Sequence, residues 1–222
     1  MAIGVPTLFT STTQVAVADG AQIPAVANVP LGALIVAAFF NWVTSGSSPT
    51  GAVTDSAGNA YSLAINSPPT STVYGCSIYY CANCAAVASG SGWISIAGTG
   101  QNYNAAACYV TGANGGLDRA NQTTGLTNTS SSVSTGTLLV PNEIVFGAVA
   151  MNVNDTFTQT SGFNKITTLG TPPTSIEFDY LTVGSTTSVP YSLSWTISSR
   201  VSQIVASFQQ SVLISGFAAS EY

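Results

Sequence analysis

An all-β fold is predicted for this 222-residue chain: a β-sandwich, jelly-roll-like, in a single domain. Three observations predict it. No long window repeats apolar residues at three-and-four spacing, so helical signals are close to absent. β-Branched, aromatic and turn residues dominate throughout. Short apolar runs alternate with Gly/Ser/Thr/Asn/Pro clusters at intervals suited to a sandwich. The length is ample for a core without covalent staples, and no repeat or composition shift marks a second domain.

Taken in order, residues 1–13 read as an N-terminal arm, with Val5, Leu8 and Phe9 as candidate contact residues, and a first strand is expected near Thr13–Val17. Leu34–Val43 is next. Its first seven residues are continuously apolar, so it reads as a central strand buried on both faces, because a half-exposed strand would alternate. In "VTDSAGNAYSLAI", Asp55 can bond its own downstream backbone and Gly58 can take positive φ, which predicts a tight hairpin. Tyr61, Leu63 and Ile65 should then alternate onto one face of the outgoing strand. Further strands are expected over Val73–Tyr80, Trp93–Ala97 and Ala105–Thr111.

Leu117–Thr137 has no apolar period and reads as a long polar loop, either a crossover or an arm that orders against a neighbour; Leu117 joins the candidate contact residues. Strands follow over Glu143–Met151, Ser175–Tyr180, Tyr191–Trp195 and Gln203–Leu213, with Val205 opposite Ala206 and Phe208. The C-terminal extension, 212–222, carries Val212, Leu213, Ile214, Phe217 and Tyr222. Projecting past the sandwich, those side chains would need a partner to cover them.

Charge is scarce. Three Lys+Arg stand against eight Asp+Glu, with no histidine, so 5% of residues are charged where an average soluble domain has about 25%. Lys165, Arg119 and Arg200 lie far apart in sequence, which argues against a phosphate-tracking patch and hence against nucleic acid. A basic membrane-surface helix is disfavoured for the same reason. The apolar run Leu31–Val43 contains Asn41 and falls short of the roughly 20 residues a span needs. No Lys or Arg precedes an apolar stretch at the N-terminus, so no secretory signal is expected. Synthesis in a cytoplasm followed by release on lysis would reconcile that with the extracellular character of the composition.

Catalytic patterns are weak, and no catalytic residue is expected. No histidine is present to activate a serine, and no Ser-x-x-Lys spacing occurs. A carboxylate pair could come from Asp19, Asp55, Asp118, Glu143, Asp155, Glu177 and Asp179; Glu177 and Asp179 share a strand face. These acids are read as solvated surface groups. "TDSAGN" and "MNVNDTF" supply oxygen atoms, but without the spacing of a calcium loop, and read as turns. No metal and no cofactor is expected.

"CSIYYCANC" holds Cys76, Cys81 and Cys84. On a strand, Cys76 and Cys81 point to opposite faces and cannot both ligate one ion without a bulge. Packing as small residues is the favoured reading, ahead of a disulfide and then of a metal or redox role involving Cys108 as well. Trp42, Trp93, Trp195, Tyr74, Tyr79, Tyr80, Tyr103 and Tyr109 read as core rather than as a sugar-stacking platform.

The motifs "ALIVAAFFNW", "VTDSAGNAYSLAI", "IYYCAN" and the closing "IVASF" together resemble a β-sandwich domain of bacteriophage virion proteins and bacterial surface proteins. They span roughly Val15–Phe208 and are structural turns and core strands. The resemblance implies a capsid decoration (cement) or head-fibre protein, working by contact rather than chemistry. Its partners would be the major capsid protein and neighbouring copies of itself as a homo-oligomer on the lattice. It would sit on the capsid exterior after synthesis in the host cytoplasm. The alternative is a carbohydrate-binding fibre or tail-associated module that contacts the host surface.

Overall fold

The structure, a computed structural model, describes residues 2–12, 16–43, 50–67, 73–113, 116–170 and 174–211, without the side chains of 42, 43, 73, 74, 125 and 126. It is all-β and built in layers. β3 (Leu34–Val43) is the middle strand of a five-stranded antiparallel sheet in the order β1 (Thr7–Ser11), β8 (Tyr103–Val110), β3, β6 (Val73–Cys81), β5 (Ser62–Ser67). The continuous apolar run is explained by this position: Leu34, Val36, Ala38 and Phe40 face one core, and Ile35, Ala37 and Phe39 face another. A strand covered on both sides has no wet face to make polar.

On one side lies a small sheet, β2 (Ile23–Pro24), β7 (Trp93–Ala97), β4 (Ala52–Asp55). Together the two sheets have the strand order of a jelly roll, first-eighth-third-sixth against second-seventh-fourth. The fifth strand departs from that wiring. β5 pairs with β6, Ser62 opposite Tyr80, instead of with β4. The expected hairpin at Asp55 is therefore corrected: the tight turn forms, with Gly58 at φ 72°, but it passes the chain from one sheet to the other. The expected alternation of Tyr61, Leu63 and Ile65 also fails. The register shifts between Leu63 and Ile65, which sends Tyr61 to one core and Ile65 to the other and leaves Leu63 exposed.

The other face of the five-stranded sheet packs on a sheet built from the second half of the chain. Its order is β11 (Thr158–Gln159), β14 (Pro190–Gln209), β10 (Glu143–Met151), β13 (Ser175–Val183), β12 (Asn164–Leu169), with β9 (Leu117–Ser134) also on β14. Ile144, Phe146, Phe178, Ile204 and Phe208 close the central core from this side. The outer face of the sheet is covered by its own strand. β14 loses register between Ser194 and Ser199, and Tyr191, Leu193 and Trp195 pack over Val145, Val149, Val201 and Val205 in a third core. Gln203 Nε2 donates to the Tyr191 carbonyl (2.7 Å), tying the two halves of the strand together.

Three expectations are thereby corrected. The polar loop over 117–137 is mostly strand: β9 pairs with β14 from Leu117↔Phe208 to Ser134↔Pro190. An edge strand held by a backbone ladder needs no apolar alternation, so its Ser, Thr and Asn residues concealed it. The expected strands Tyr191–Trp195 and Gln203–Leu213 belong to one bent strand, Pro190–Gln209, rather than two, with 212 and 213 outside the described residues. The N-terminal arm contains β1 (Thr7↔Tyr109, Ser11↔Ala106); of the expected strand near Thr13–Val17, residues 13–15 lie outside the described residues, and Val17 makes a single bridge to Tyr103.

Candidate functional site

One end of the sandwich gathers the segments singled out in the sequence. Gly4 N donates to Thr111 O (2.9 Å), Gln209 N to Gly116 O (3.2 Å) and Ser211 N to Gly112 O (2.9 Å). The N-terminal segment, the start of β9 and the exit of the C-terminal segment thus meet around residues 111–117. Gly112 is required there. Its φ is +75°, and a Cβ would sit 2.2 Å from Ala2 O, a contact that no side chain tolerates. Leu34↔Val110 brings the start of β3 to the same end, and Leu139 N bonds Asp118 Oδ2 (2.8 Å) beside the start of β9.

Exposed apolar side chains surround this end: Val5 at 74%, Leu31 at 79% and Leu139 at 62%. Scattered exposed apolar residues are ordinary; Val5 beside Gly4, Leu31 ahead of Leu34 and Leu139 on Asp118 are carried by the segments that meet here, and they are the candidates for contact. Of the predicted contact residues, Val5 is exposed. Leu8 and Leu117 are partly buried against the central core. Phe9 is corrected: it is fully buried between the five-stranded and small sheets and is closed to partners. Val212, Leu213, Ile214, Phe217 and Tyr222 lie outside the described residues. Leu31 and Leu139 were missed because each belongs to a short apolar run, Leu31–Val43 or Leu138–Val140, in which the sequence does not mark the one residue that faces outward.

The acids do different work from that expected. Glu177 and Asp179 do share a face, but both are fully buried. Tyr191 Oη and Gln159 Nε2 donate to Asp179, Gln159 Nε2 also reaches Glu177 (3.2 Å), and Lys165 pairs with Glu177. Burial, reinforced by the negative charge of Glu177, pushes the Asp179 carboxyl up to about 8. Glu143, also buried, is pushed up to about 7, chiefly by desolvation, with Asp118 and Ser207 beside it. The reading of these groups as solvated is therefore corrected. Alternating apolar flanks reveal a buried face but not that an acid shares it.

The remaining described aspartates hold turns. Asp55 Oδ1 accepts from Ala57 N (2.9 Å) and Asn59 N (3.1 Å), and its Oδ2 from Asn59 Nδ2 (2.8 Å) and Tyr61 Oη (2.9 Å). Asp155 Oδ2 accepts from Ile197 N, Thr196 N and Thr196 Oγ1, and these bonds hold its carboxyl down at about 2. Asp19 accepts from the backbone of Gly98, Thr99 and Gly100. Donors pointing at both oxygens of Asp55 face where a cation would sit, which favours the turn reading of "TDSAGN".

At the bend of β14 lies a crevice of about 420 Å³, lined by hydroxyl groups of β9 and β14 that include Thr123, Ser130, Ser132 and Ser194, with Thr160 from the turn after β11. Trp195 is turned inward, its Nε1 donating to Asn128 O (2.9 Å) and its ring edge-on to Phe157 at 5.9 Å. Tyr79 and Tyr103 are buried against Phe39. Tyr80, Trp93 and Tyr109 are partly buried, and the side chains of Trp42 and Tyr74 lie outside the description.

No family model, no curated protein and no solved structure matches the chain.

Proposed function

We propose that the chain is a structural virion protein that binds the outer surface of a phage capsid and stabilises it. Its partners are then the major capsid protein and neighbouring copies of itself. The observation that carries this reading is the end of the sandwich where Val5, Leu31 and Leu139 are exposed around the junction of the N-terminal segment, β9 and Ser211. A body of packed antiparallel sheets suits a protein that works by contact. With 5% of its residues charged, attachment would rest on apolar burial and backbone hydrogen bonds, and should respond little to salt. Comparing particles assembled with and without the protein under heat and osmotic shock tests the proposal; equal survival would remove it.

The hydroxyl-lined crevice favours a second reading, a module that grips a glycan through hydroxyl and amide groups. The inward-facing Trp195 counts against a stacking platform there. A glycan array without specific binding would remove this alternative.

A further inference from the structure

The turn that ends β6 places two thiols side by side. Cys81 closes the strand and Cys84 follows after Ala82 and Asn83; Asn83 takes a left-handed φ of 52°, which folds the four residues back on themselves. Cys84 is pinned from both sides, its N donating to Ala33 O (3.0 Å) and its O accepting from Gly32 N (2.8 Å). Its sulfur reaches Ala33 O at 3.0 Å. Both side chains enter the same core, beside Tyr61 and beneath the turn held by Asp55. The two thiols lie within hydrogen-bonding reach of each other, an arrangement that holds Cys81 below its ordinary range and pushes Cys84 above it. Cys76 and Cys108 face the central core instead, on the other side of the sheet from this pair.

We propose that Cys81 and Cys84 are a dithiol that closes to an intra-turn disulfide in an oxidising medium, by exchange with a small disulfide such as oxidised glutathione. The Cys81 thiolate attacks one sulfur of the oxidant and releases the first glutathione thiolate. Cys84 then loses its proton and attacks the Cys81 sulfur, expelling the second glutathione. Two protein thiols are oxidised and one disulfide is reduced to two thiols. Residues three apart across a tight turn have the short Cα separation that a disulfide needs. Ala82 and Asn83 are exposed, so a local opening of this turn admits the oxidant while the sheets stay closed. The inference is independent of the capsid reading.

The test uses the full chain, purified reduced and then incubated with oxidised glutathione. It is next unfolded in guanidinium with N-ethylmaleimide, and its mass and peptides are mapped. The expected product carries two maleimide groups, at Cys76 and Cys108, and a peptide linking Cys81 to Cys84. Cys84→Ser should abolish that product, and Cys108→Ala should leave it in place. Four maleimide groups on the incubated wild type, or a lasting glutathione adduct on Cys81 without the link, would overturn the proposal. So would a linked peptide that involves Cys76 or Cys108.

Discussion

The ring of Tyr191 occupies the space that a side chain at position 147 would fill. A Cβ on Gly147 would lie 2.7 Å from three carbons of that ring. Gly147 sits in the middle of β10, opposite Asp179 on one side and Val205 on the other. Tyr191 lies on the folded-back half of β14, with its hydroxyl on Asp179 and its ring 4.7 Å from Phe163. The glycine is what lets β14 close over its own sheet.

Gly147→Ala should therefore cost about 1–3 kcal/mol, the range for overpacking a closed core. Tyr191 is fully buried and anchored at both ends, so it cannot swing aside without giving up its bond to Asp179. Denaturant unfolding measures this. A midpoint unchanged from wild type would show that the ring does not rest on the glycine.

Stability should fall as pH rises through the neutral range. Burial and the Glu177 charge raise Asp179 from its ordinary 3.8 to about 8, so between those values the folded chain holds a proton that the unfolded chain has released. The folded state is thus favoured at the acidic end, and loses up to roughly 1.4 kcal/mol per pH unit across that window. Glu143, raised to about 7, adds to the decline with the same sign. Asp179→Asn keeps an acceptor for Tyr191 but has no proton to lose. Unfolding curves from about pH 5 to 9 should be flatter for this variant, and flatter still with Glu143→Gln added. A wild type that gains stability toward pH 9 would contradict the account.

Asp55→Ala should cost about 1–3 kcal/mol by leaving the amide and hydroxyl donors of residues 57–61 without their acceptor. Asn59 also clips the turn to the next one through Ala85 N (2.7 Å). Amide exchange should therefore quicken over both 56–60 and 82–86, while the amides of β3 and β10 keep their protection. Exchange that quickens equally everywhere would show that the turn is not a separate unit.

Much of the architecture was legible in the sequence. Leu34–Val43, Trp93–Ala97 and Glu143–Met151 coincide with β3, β7 and β10, because a strand buried on both faces or bounded by Gly and Asn carries its own signal. The separation of Cys76 from Cys81 across the sheet followed from the two-residue period alone. β9 was hidden for the opposite reason: as an edge strand of Ser, Thr and Asn, its partner is the backbone of β14. The bend in β14 depends on a register loss near residues 195–199 that no composition announces. Phe9 shows the limit for the contact surface, since an apolar residue in an arm and one in an edge strand look alike until the pairing with β8 is seen. The buried acids were equally unreadable, because their partners Gln159, Lys165 and Tyr191 come from three other strands.

The proposed attachment surface is tested most directly by cosedimentation of the purified protein with particles assembled without it. The comparison is between wild type and a Val5→Ser, Leu31→Ser, Leu139→Ser variant, at about 0.05 and 0.5 M salt. These side chains are exposed, so the variant should unfold at the wild-type temperature. The account predicts that wild type pellets with the particles at both salt concentrations and that the variant stays in the supernatant. A wild type that stays in the supernatant, or a variant that pellets as well as wild type, would contradict it.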